Sequence, residues 1–379
     1  MKGSNSSQLI EFAKKSLVDS GGFGWLTEDG QIDLGKNLQA WINFRMTYVF
    51  ALEKISGNQS ATKYLQHGLR AIRELFTDEI NGGFYTEVTS VEIIDSEKKA
   101  YEFAFALLAL SAAVRAGEES AKTELARALV IFEKYFWNEN FGLVEESWNR
   151  EFKIRNKYHG LNANMHTVEA CLELFKSTAD SKWLTRATQI CKFAFAEARK
   201  NEVGLIPEHF DENWVLDKEF NSENPGDPFH PFGIIIGHQF EWARLAIELS
   251  HALGSSAPNW LLAEARNVYG IAKDIGWQVD GAPGFVYTVD FDGKPVVQMR
   301  MHWVITEAVA AAWTLSKNSN SSNYLADFHE WWSYAEKHFI DPINGSWRHE
   351  LNALNEESSS VWNGRPDIYH AYQIQIIFR

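Results

Sequence analysis

The sequence predicts an all-α protein whose fold is an (α/α)6 barrel, with twelve helices in two concentric rings and short β-hairpins in the loops. Two observations predict this fold. A glycine-containing loop recurs along the chain, and the segments between its copies have helical patterns of two alternating kinds. Recurrence at an interval of this size is typical of repeated supersecondary units. Six helix pairs that close on themselves account for both observations.

The loop has six copies, most of them about 60 residues apart and one pair nearer 80. In each copy a glycine precedes, directly or after one residue, an apolar or aromatic residue and a short extended stretch. This order is typical of a tight turn that opens a small strand. The copies are GFGWL (22–26), GGFY (82–85), FGLV (141–144), VGLI (203–206), PGFVY (283–287) and NGSW (344–347).

The helices between the loops come in pairs whose members differ in polarity. Segment 121–136 has one apolar stripe and a charged face, which predicts an outer helix. Segments 101–114 and 301–313 are apolar almost all round, which predicts burial on every side. The predicted pairs are 7–20 and 34–56, 60–76 and 98–116, 120–136 and 161–178, 181–200 and 238–253, 259–275 and 301–317, and 323–339 and 367–377.

The chain has no linker or low-complexity stretch, so we predict that residues 1–379 form a single barrel domain. An open α-solenoid is the alternative architecture. The short final helix and the lack of polar capping repeats favour the closed barrel.

Composition excludes several function classes. The formal net charge of -14 disfavours a nucleic-acid partner. No segment has the roughly 18 apolar residues of a membrane span, and the N-terminus lacks the apolar core of a signal peptide. The two cysteines, Cys171 and Cys191, lie in helical patterns and cannot form a disulfide framework. We therefore expect a cytoplasmic protein without a membrane partner. The 15 tryptophans suit either a sugar site or an aromatic core.

Polar side chains interrupt the apolar inner helices, mostly in their first two turns. A buried polar group costs about 1–3 kcal/mol unless it is paired, so these positions need a reason. Inner helices of such a barrel begin at one end, so the sequence predicts a single funnel that holds these side chains. A lone histidine is more often structural, but three at equivalent positions favour a site. The residues are Trp41, Arg45, Tyr101, Glu102, Asn162, His166, Glu169, His238, Glu241, His302, Trp303, Glu307, Asp367 and His370.

Histidine is suited to proton transfer because its reference pKa is about 6.5. Proton abstraction beside a sugar carbonyl needs such a base, together with donors at the carbonyl oxygen. Glycoside hydrolysis, which needs two opposed carboxylates, remains open because of Glu102, Glu241 and Glu307. Two His-x-x-Glu pairs raise the question of a metal. Because no HExxH motif, cysteine cluster, phosphate loop or dinucleotide fingerprint is present, we expect no metal and no cofactor.

Nine segments resemble the N-acylglucosamine 2-epimerase family, and within it the mannose isomerase/sulfoquinovose isomerase branch. They span the chain from end to end. The segments are GFGWLTEDG (22–30), WINFRMTYVFAL (41–52), HGLRAIRELFTDEINGGFY (67–85), NANMHTVEA (162–170), GHQFEWARL (237–245), GFVYTVDFDGKPVV (284–297), RMHWVITEA (300–308), SWRHELNALN (346–355) and GRPDIYHAYQ (364–373).

The resemblance implies metal-free isomerisation or 2-epimerisation of a monosaccharide through a cis-enediol(ate). It implies that His238 and His370 are the acid–base pair at C1 and C2, and that His166 assists ring opening or polarises an oxygen. It also implies a set of substrate-binding residues, which are Trp41, Arg45, Tyr101, Asn162, Glu241 and Trp303.

Three positions depart from the family pattern. Ile235 and Ile236 precede Gly237-His238 where a proline is expected, Gln298-Met299 replaces a basic residue, and His230 replaces an arginine. Loss of positive charge disfavours a sulfonated sugar, which needs an arginine fork. We therefore expect interconversion of D-mannose and D-fructose. The alternatives are an aldose 2-epimerase, a sulfoquinovose isomerase, a glycoside hydrolase and a non-catalytic sugar-binding barrel. The sequence does not predict the oligomeric state.

Overall fold

The computed structural model of the chain describes residues 4–318 and 321–378. Residues 1–3, 319–320 and 379 of the predicted domain lie outside the described residues. Within the described ranges, no helix is both long and apolar enough to cross a bilayer. The described ranges contain twelve α-helices: Ser4–Lys14 (α1), Ala40–Ile55 (α2), Thr62–Ala71 (α3), Ala100–Arg115 (α4), Glu119–Ile131 (α5), Leu161–Thr178 (α6), Lys182–Lys200 (α7), Ile236–Leu253 (α8), Trp260–Gly276 (α9), His302–Lys317 (α10), Ser322–His338 (α11) and Tyr369–Ile377 (α12).

The predicted helices agree with these bounds except at the first pair. The prediction 7–20 is wrong at its end, because α1 ends at Lys14 and Leu17 forms an antiparallel bridge with Phe23. The prediction 34–56 begins too early, because Leu38–Gln39 is a strand. Helices α3 and α5 continue as single π-helical stretches, Ile72–Phe76 and Phe132–Phe136.

The predicted short strands are present, but only some of them form local hairpins. Trp137–Asn138 pairs with Leu143–Val144 across a turn that contains Gly142, whose φ of 67° suits glycine. Other pairs join loops that are distant in sequence. The strands are Leu38–Gln39 (β1), Glu87–Val88 (β2), Ile93–Asp95 (β3), Lys98–Lys99 (β4), Trp137–Asn138 (β5), Leu143–Val144 (β6), Ser147–Trp148 (β7), His159–Gly160 (β8), His209–Phe210 (β9), Ile234–Ile235 (β10), Thr288–Val289 (β11), Arg300–Met301 (β12), Ile340–Asp341 (β13), Ser346–Trp347 (β14) and Glu350–Leu351 (β15).

The long-range pairs fix where inner helices begin. Strand β1 pairs with β2 directly before α2, and β4 pairs with β7 directly before α4. In the same way β10 pairs with β11 before α8, and β12 pairs with β15 before α10. Each of these helices therefore starts at a point held by the loop of the next repeat.

The chain divides into two compact units. The N-terminal unit is Ile10–Ile190 with Pro366–Tyr369, and the C-terminal unit is Cys191–Arg365 with Met1–Leu9 and His370–Arg379. In the N-terminal unit α4 packs between α2 and α6, while α3 and α5 pack against α2 and α4. In the C-terminal unit α8 packs on α10, and α9 and α11 cover them. The single-domain prediction stays a prediction.

Burial confirms the two kinds of helix. In α8, 14 of 18 residues are buried, whereas the neighbouring α9 buries 6 of 17. An apolar stripe is enough for a helix that packs on one side, but a helix covered all round needs apolar residues on every face.

Side-chain amides tie three glycine loops to inner helices. Asn43 accepts from the N–H of Phe23 (2.7 Å) and donates to the Phe23 carbonyl (3.1 Å). Gln239 does the same to Ile206, at 2.9 Å in both directions. Asn164 accepts from the N–H of Val144 at 3.0 Å. Each amide is the fourth residue of its helix, so the repeat seen in sequence is also a repeat of hydrogen bonds.

Replacing Asn164 by alanine is expected to destabilise the fold. The Val144 N–H and the Gly160 carbonyl, which the Asn164 amide also contacts at 2.9 Å, would stay buried without this partner. The expected loss is about 2–4 kcal/mol in the free energy of unfolding, measured by urea denaturation. The exposed Asn140→Ala is the matched control and should change stability by less than about 0.5 kcal/mol. Equal stability of the two variants would contradict the role of the amide.

Candidate active site

The first buried pair of the C-terminal unit is His238 with Glu208. His238 is the third residue of α8, and its Nδ1 lies 3.0 Å from Oε1 of Glu208, which directly precedes β9. Both side chains are buried. A carboxylate at Nδ1 fixes the ring orientation and leaves Nε2 as the nitrogen that exchanges protons with a ligand.

The second buried pair is His370 with Glu307. His370 lies in the first turn of α12, and its Nδ1 lies 3.0 Å from Oε1 of Glu307 on α10. The other oxygen of Glu307 accepts a hydrogen bond from Nε of Arg244 at 2.8 Å. Burial raises the pKa of Glu307, whereas Arg244 and His370 lower it, and the net shift is downward. Glu307 is therefore a carboxylate shared by a cation and a histidine.

Trp303 lies beside both histidines. Its ring centroid is 5.1 Å from that of His238 and 5.8 Å from that of His370. Gly237 allows this approach, because a Cβ at that position would lie 2.4 Å from Cζ3 of Trp303. A glycine one residue before His238 thus lets the indole lie against the start of α8.

His302 is not part of these pairs. Its ring stacks on that of His349, with centroids 3.8 Å apart and planes 18° from parallel. The β12–β15 pairing brings the two residues together, since the N–H of His302 donates to the carbonyl of His349 at 3.0 Å.

Arg45 is the centre of the cluster in the N-terminal unit. Its guanidinium donates to Asp367 at 3.2 Å and to the Tyr101 hydroxyl at 2.7 Å. It also lies over the rings of Phe105 (4.3 Å) and Trp41 (5.1 Å). Burial lowers the pKa of Arg45, but Tyr101 and Asp367 raise it, and the net shift is upward. Arg45 is therefore a permanent buried cation on an aromatic wall.

His166 and Asn162 lie in the same unit on α6. Nδ1 of His166 is 3.5 Å from Oε2 of Glu169, and the Tyr369 hydroxyl donates to that carboxylate. The His166 ring also lies edge-on to Tyr101, with centroids 5.4 Å apart. Oδ1 of Asn162 is buried without a hydrogen-bond partner among the described residues. An unsatisfied acceptor of this kind suits a ligand hydroxyl.

The nine predicted site residues thus fall into two clusters. The prediction that all nine share one funnel stays a prediction. The C-terminal unit holds His238, Glu241, Trp303 and His370, and the N-terminal unit holds Trp41, Arg45, Tyr101, Asn162 and His166.

Three ligand-type side chains of the C-terminal unit are close enough to surround a cation. One ligand atom from each of Glu241, Glu307 and His370 lies within 4.8 Å of the others. Arg244 already contacts both carboxylates, at 3.5 Å for Glu241 and 2.8 Å for Glu307. The guanidinium supplies the positive charge that a metal would supply, so the donor set does not require one.

Sequence reasoning missed Glu208 and the contacts of Arg244. Glu208 is 30 residues from His238 and lies on a loop, outside the helical pattern. A signal was present, because an acidic residue follows the glycine by three to five positions in five loop copies. These residues are Glu28, Glu87, Glu145, Glu208 and Glu350.

Comparison with solved structures confirms the predicted fold class, an (α/α)6 barrel. The chain superposes on a crystal structure of a D-mannose isomerase with a TM-score of 0.93 and 26% identity, covering 98% of this chain and 95% of the other. The chain belongs to the N-acylglucosamine 2-epimerase family, whose model matches residues 21–374.

Two relatives are similar over nine-tenths or more of this chain. A D-mannose isomerase of Thermobifida fusca is 39% identical over 368 residues, which are 97% of this chain and 90% of the relative. A cellobiose 2-epimerase of Ruminococcus albus is 24% identical, over 91% of this chain and 88% of the relative.

Glu102, next to Tyr101, is expected to make stability depend on pH. Burial raises the pKa of Glu102 to about 7 from an ordinary 4.5. The pKa of Glu102 is higher in the folded than in the unfolded protein. The free energy of unfolding is therefore fully retained below pH 4.5 and falls as the pH rises from 4.5 to about 7. Glu102→Gln should therefore gain about 3 kcal/mol over the parent between pH 4 and pH 8. Urea denaturation across this range measures the gap.

The exposed Glu92→Gln is the control for the Glu102 experiment, and its stability should follow that of the parent at every pH. If the free energies of unfolding of Glu102→Gln and the parent differ by the same amount at every pH, the Glu102 carboxyl does not titrate with a raised pKa.

Proposed function

We propose that the protein is an aldose–ketose isomerase that interconverts D-mannose and D-fructose without a metal or cofactor. The observation that carries the proposal is the pair of buried histidines, His238 and His370, each hydrogen-bonded to a glutamate and both beside Trp303. The 39% identity to a D-mannose isomerase over almost the full length supports the choice of sugar.

The reaction needs protons moved between carbon and oxygen of the open-chain sugar. A base removes the proton from C2 while an acid protonates the carbonyl oxygen at C1, which gives the cis-enediol. A proton is then returned to C1 while the hydroxyl at C2 loses its proton, which gives the ketose. A neutral imidazole and an imidazolium are suited to these steps near neutral pH, and we assign them to His370 and His238 as a pair.

The remaining predicted residues would hold the sugar and stabilise charge. We propose that Arg45 and His166 donate to oxygens where negative charge develops. The indoles of Trp41 and Trp303 offer apolar faces to the sugar ring. Tyr101, Asn162 and Glu241 would bind hydroxyl groups, and the unsatisfied Oδ1 of Asn162 is an acceptor for one of them.

Aldose 2-epimerisation is the second candidate. It uses the same enediol, because return of the proton to C2 from the opposite face gives the epimer. The 24% identity to a cellobiose 2-epimerase supports this second candidate. Glycoside hydrolysis is less well supported. A glycosidase needs a protonated carboxyl opposed to an ionised one, and Glu241 and Glu307 both contact Arg244. Glu102, whose pKa is raised to about 7, belongs to the N-terminal unit.

We further propose that the protein acts on its monosaccharide in the cytoplasm. The chain has only two cysteines, too few for a disulfide framework, and Cys171 is a buried thiol, as expected in a reducing compartment.

Incubation of EDTA-treated protein with D-mannose is expected to produce fructose as the first product. NMR spectra recorded during the reaction measure the order in which products form. Glucose that accumulates before fructose would assign the protein to the 2-epimerases. Release of reducing ends from manno-oligosaccharides, with D-mannose left unchanged, would overturn the proposal in favour of a glycoside hydrolase.

The variants His238→Ala and His370→Ala are each expected to lower kcat by roughly 10²–10⁴-fold, the usual contribution of a positioned acid or base. Glu208→Gln should lower kcat less than His238→Ala, because the amide still accepts the Nδ1–H hydrogen bond but lacks the charge. Arg186→Met, which removes a buried arginine paired with Glu133 on an outer helix, is the matched control and should keep parental kcat. Near-normal kcat in either histidine variant would refute the assignment.

A further inference from the structure

Arg244 forms the centre of a buried charge network beside His370. Its side chain is 3% exposed and contacts three carboxylates. Nε lies 2.8 Å from Glu307, Nη1 lies 3.0 Å from Glu248 and Nη2 lies 3.5 Å from Glu241. The proposed function gives Arg244 no role. Its Nε and the Nδ1 of His370 contact the two oxygens of the same carboxylate, Glu307.

The network has an unusual arrangement of charge. Ligand atoms of Glu241, Glu307 and His370 lie within 4.8 Å of one another. Two carboxylates this close repel each other when both are ionised, and together they favour a protonated histidine. The Arg244 guanidinium opposes both effects, because it lies against both carboxylates.

We propose that Arg244 is a positioning residue for His370. Arg244 takes up part of the negative charge of Glu307, so His370 is a weaker base than a histidine whose glutamate partner bonds to no arginine. This inference rests on the proposed function for its kinetic consequence only. Arg244 orients the Glu307 carboxylate, keeps it ionised, and keeps His370 neutral at the pH where it must accept a proton.

The other titratable groups around His370 in the C-terminal unit do not substitute for Arg244. His302 lies edge-on at 6.3 Å between centroids and is stacked on His349. The chain neighbours Asp367 and Tyr369 are engaged by Arg45 and Glu169 within the N-terminal unit. Among the described residues of the C-terminal unit, Arg244 is therefore the cation bonded to the partner of His370.

The pair His238–Glu208 provides an internal comparison. Oε1 of Glu208 contacts His238 at 3.0 Å, and Oε2 has no hydrogen-bond partner among the described residues. No arginine shares this carboxylate in the described structure. A change at Arg244 should therefore alter the titration of His370 and leave that of His238 nearly unchanged.

Arg244→Met tests the inference by removing the charge while keeping much of the side-chain volume. The pKa of His370 should rise by about one unit or more, so the lower-pH limb of kcat/KM for mannose should move to higher pH by the same amount. The loss of kcat at pH 7 should be largely recovered at pH 8.5. Arg244→Lys keeps the charge, so its limb should stay closer to that of the parent.

Glu248→Gln is the second variant, chosen because Glu248 is partly exposed and should tolerate the change. Removing this carboxylate leaves more of the positive charge of Arg244 for Glu307. The lower-pH limb of the kcat/KM profile should therefore move to lower pH by a few tenths of a unit. This shift is opposite in direction to the shift expected for Arg244→Met. In the Arg244→Met background the same change should have a smaller effect.

The readout that does not depend on activity is NMR titration of the His370 and His238 imidazoles in ¹⁵N-histidine-labelled protein, assigned with the two histidine variants. Arg186→Met controls for loss of a buried arginine and should move neither pKa. A His370 pKa that is unchanged or lower in Arg244→Met, or a Glu248→Gln shift to higher pH, would overturn the inference. If mannose is not converted but the His370 pKa shifts as expected, only the proposed function fails.

Discussion

Two buried glutamates accept hydrogen bonds from histidine Nδ1 atoms, Glu208 from His238 and Glu307 from His370, each at 3.0 Å. Other site residues of the C-terminal unit lie around these two contacts, with Trp303 beside both histidines and Arg244 bonded to Glu307. A buried histidine without such a partner would have an undefined ring orientation and tautomer, and a buried carboxylate without a donor would carry a large desolvation cost. The β10–β11 pairing holds the start of α8 where His238 lies, and Gly237 lets Trp303 approach it.

Hydrogen bonds that fix the starts of helices recur along the chain. Helix starts are held by two-residue strand pairs, and three glycine loops are held by an amide at the fourth position of an inner helix. These hydrogen bonds satisfy backbone groups that burial would otherwise leave unpaired. They also place the first turns of α2, α4, α6, α8 and α10, which is where many of the polar side chains lie. Within each unit, polar residues at these starts lie close together because the backbone is fixed there, and the rest of each helix can be apolar.

Much of the fold could be predicted because helical periodicity is a local property. Apolar residues on every face identify an inner helix such as α8 without any knowledge of its neighbours. The end of α1 could not be predicted, because Leu17 leaves the helix to bridge Phe23. The sequence singled out the histidines of the candidate site but not the side chains that bond to them. Arg45 and Asp367 are 322 positions apart, and Glu208 lies on a loop, so only the tertiary structure pairs them with their neighbours.

The central claim is that histidines carry protons through an enediol, and the fate of a label at C2 tests it most directly. D-[2-²H]mannose is converted in H₂O, and the deuterium at C1 of the fructose is counted by mass spectrometry at low conversion. An imidazole that has taken the deuteron exchanges it with water, so the account predicts that a substantial fraction of the label is lost, equally with and without EDTA. Complete retention of deuterium at C1 would indicate a hydride shift and would contradict the account.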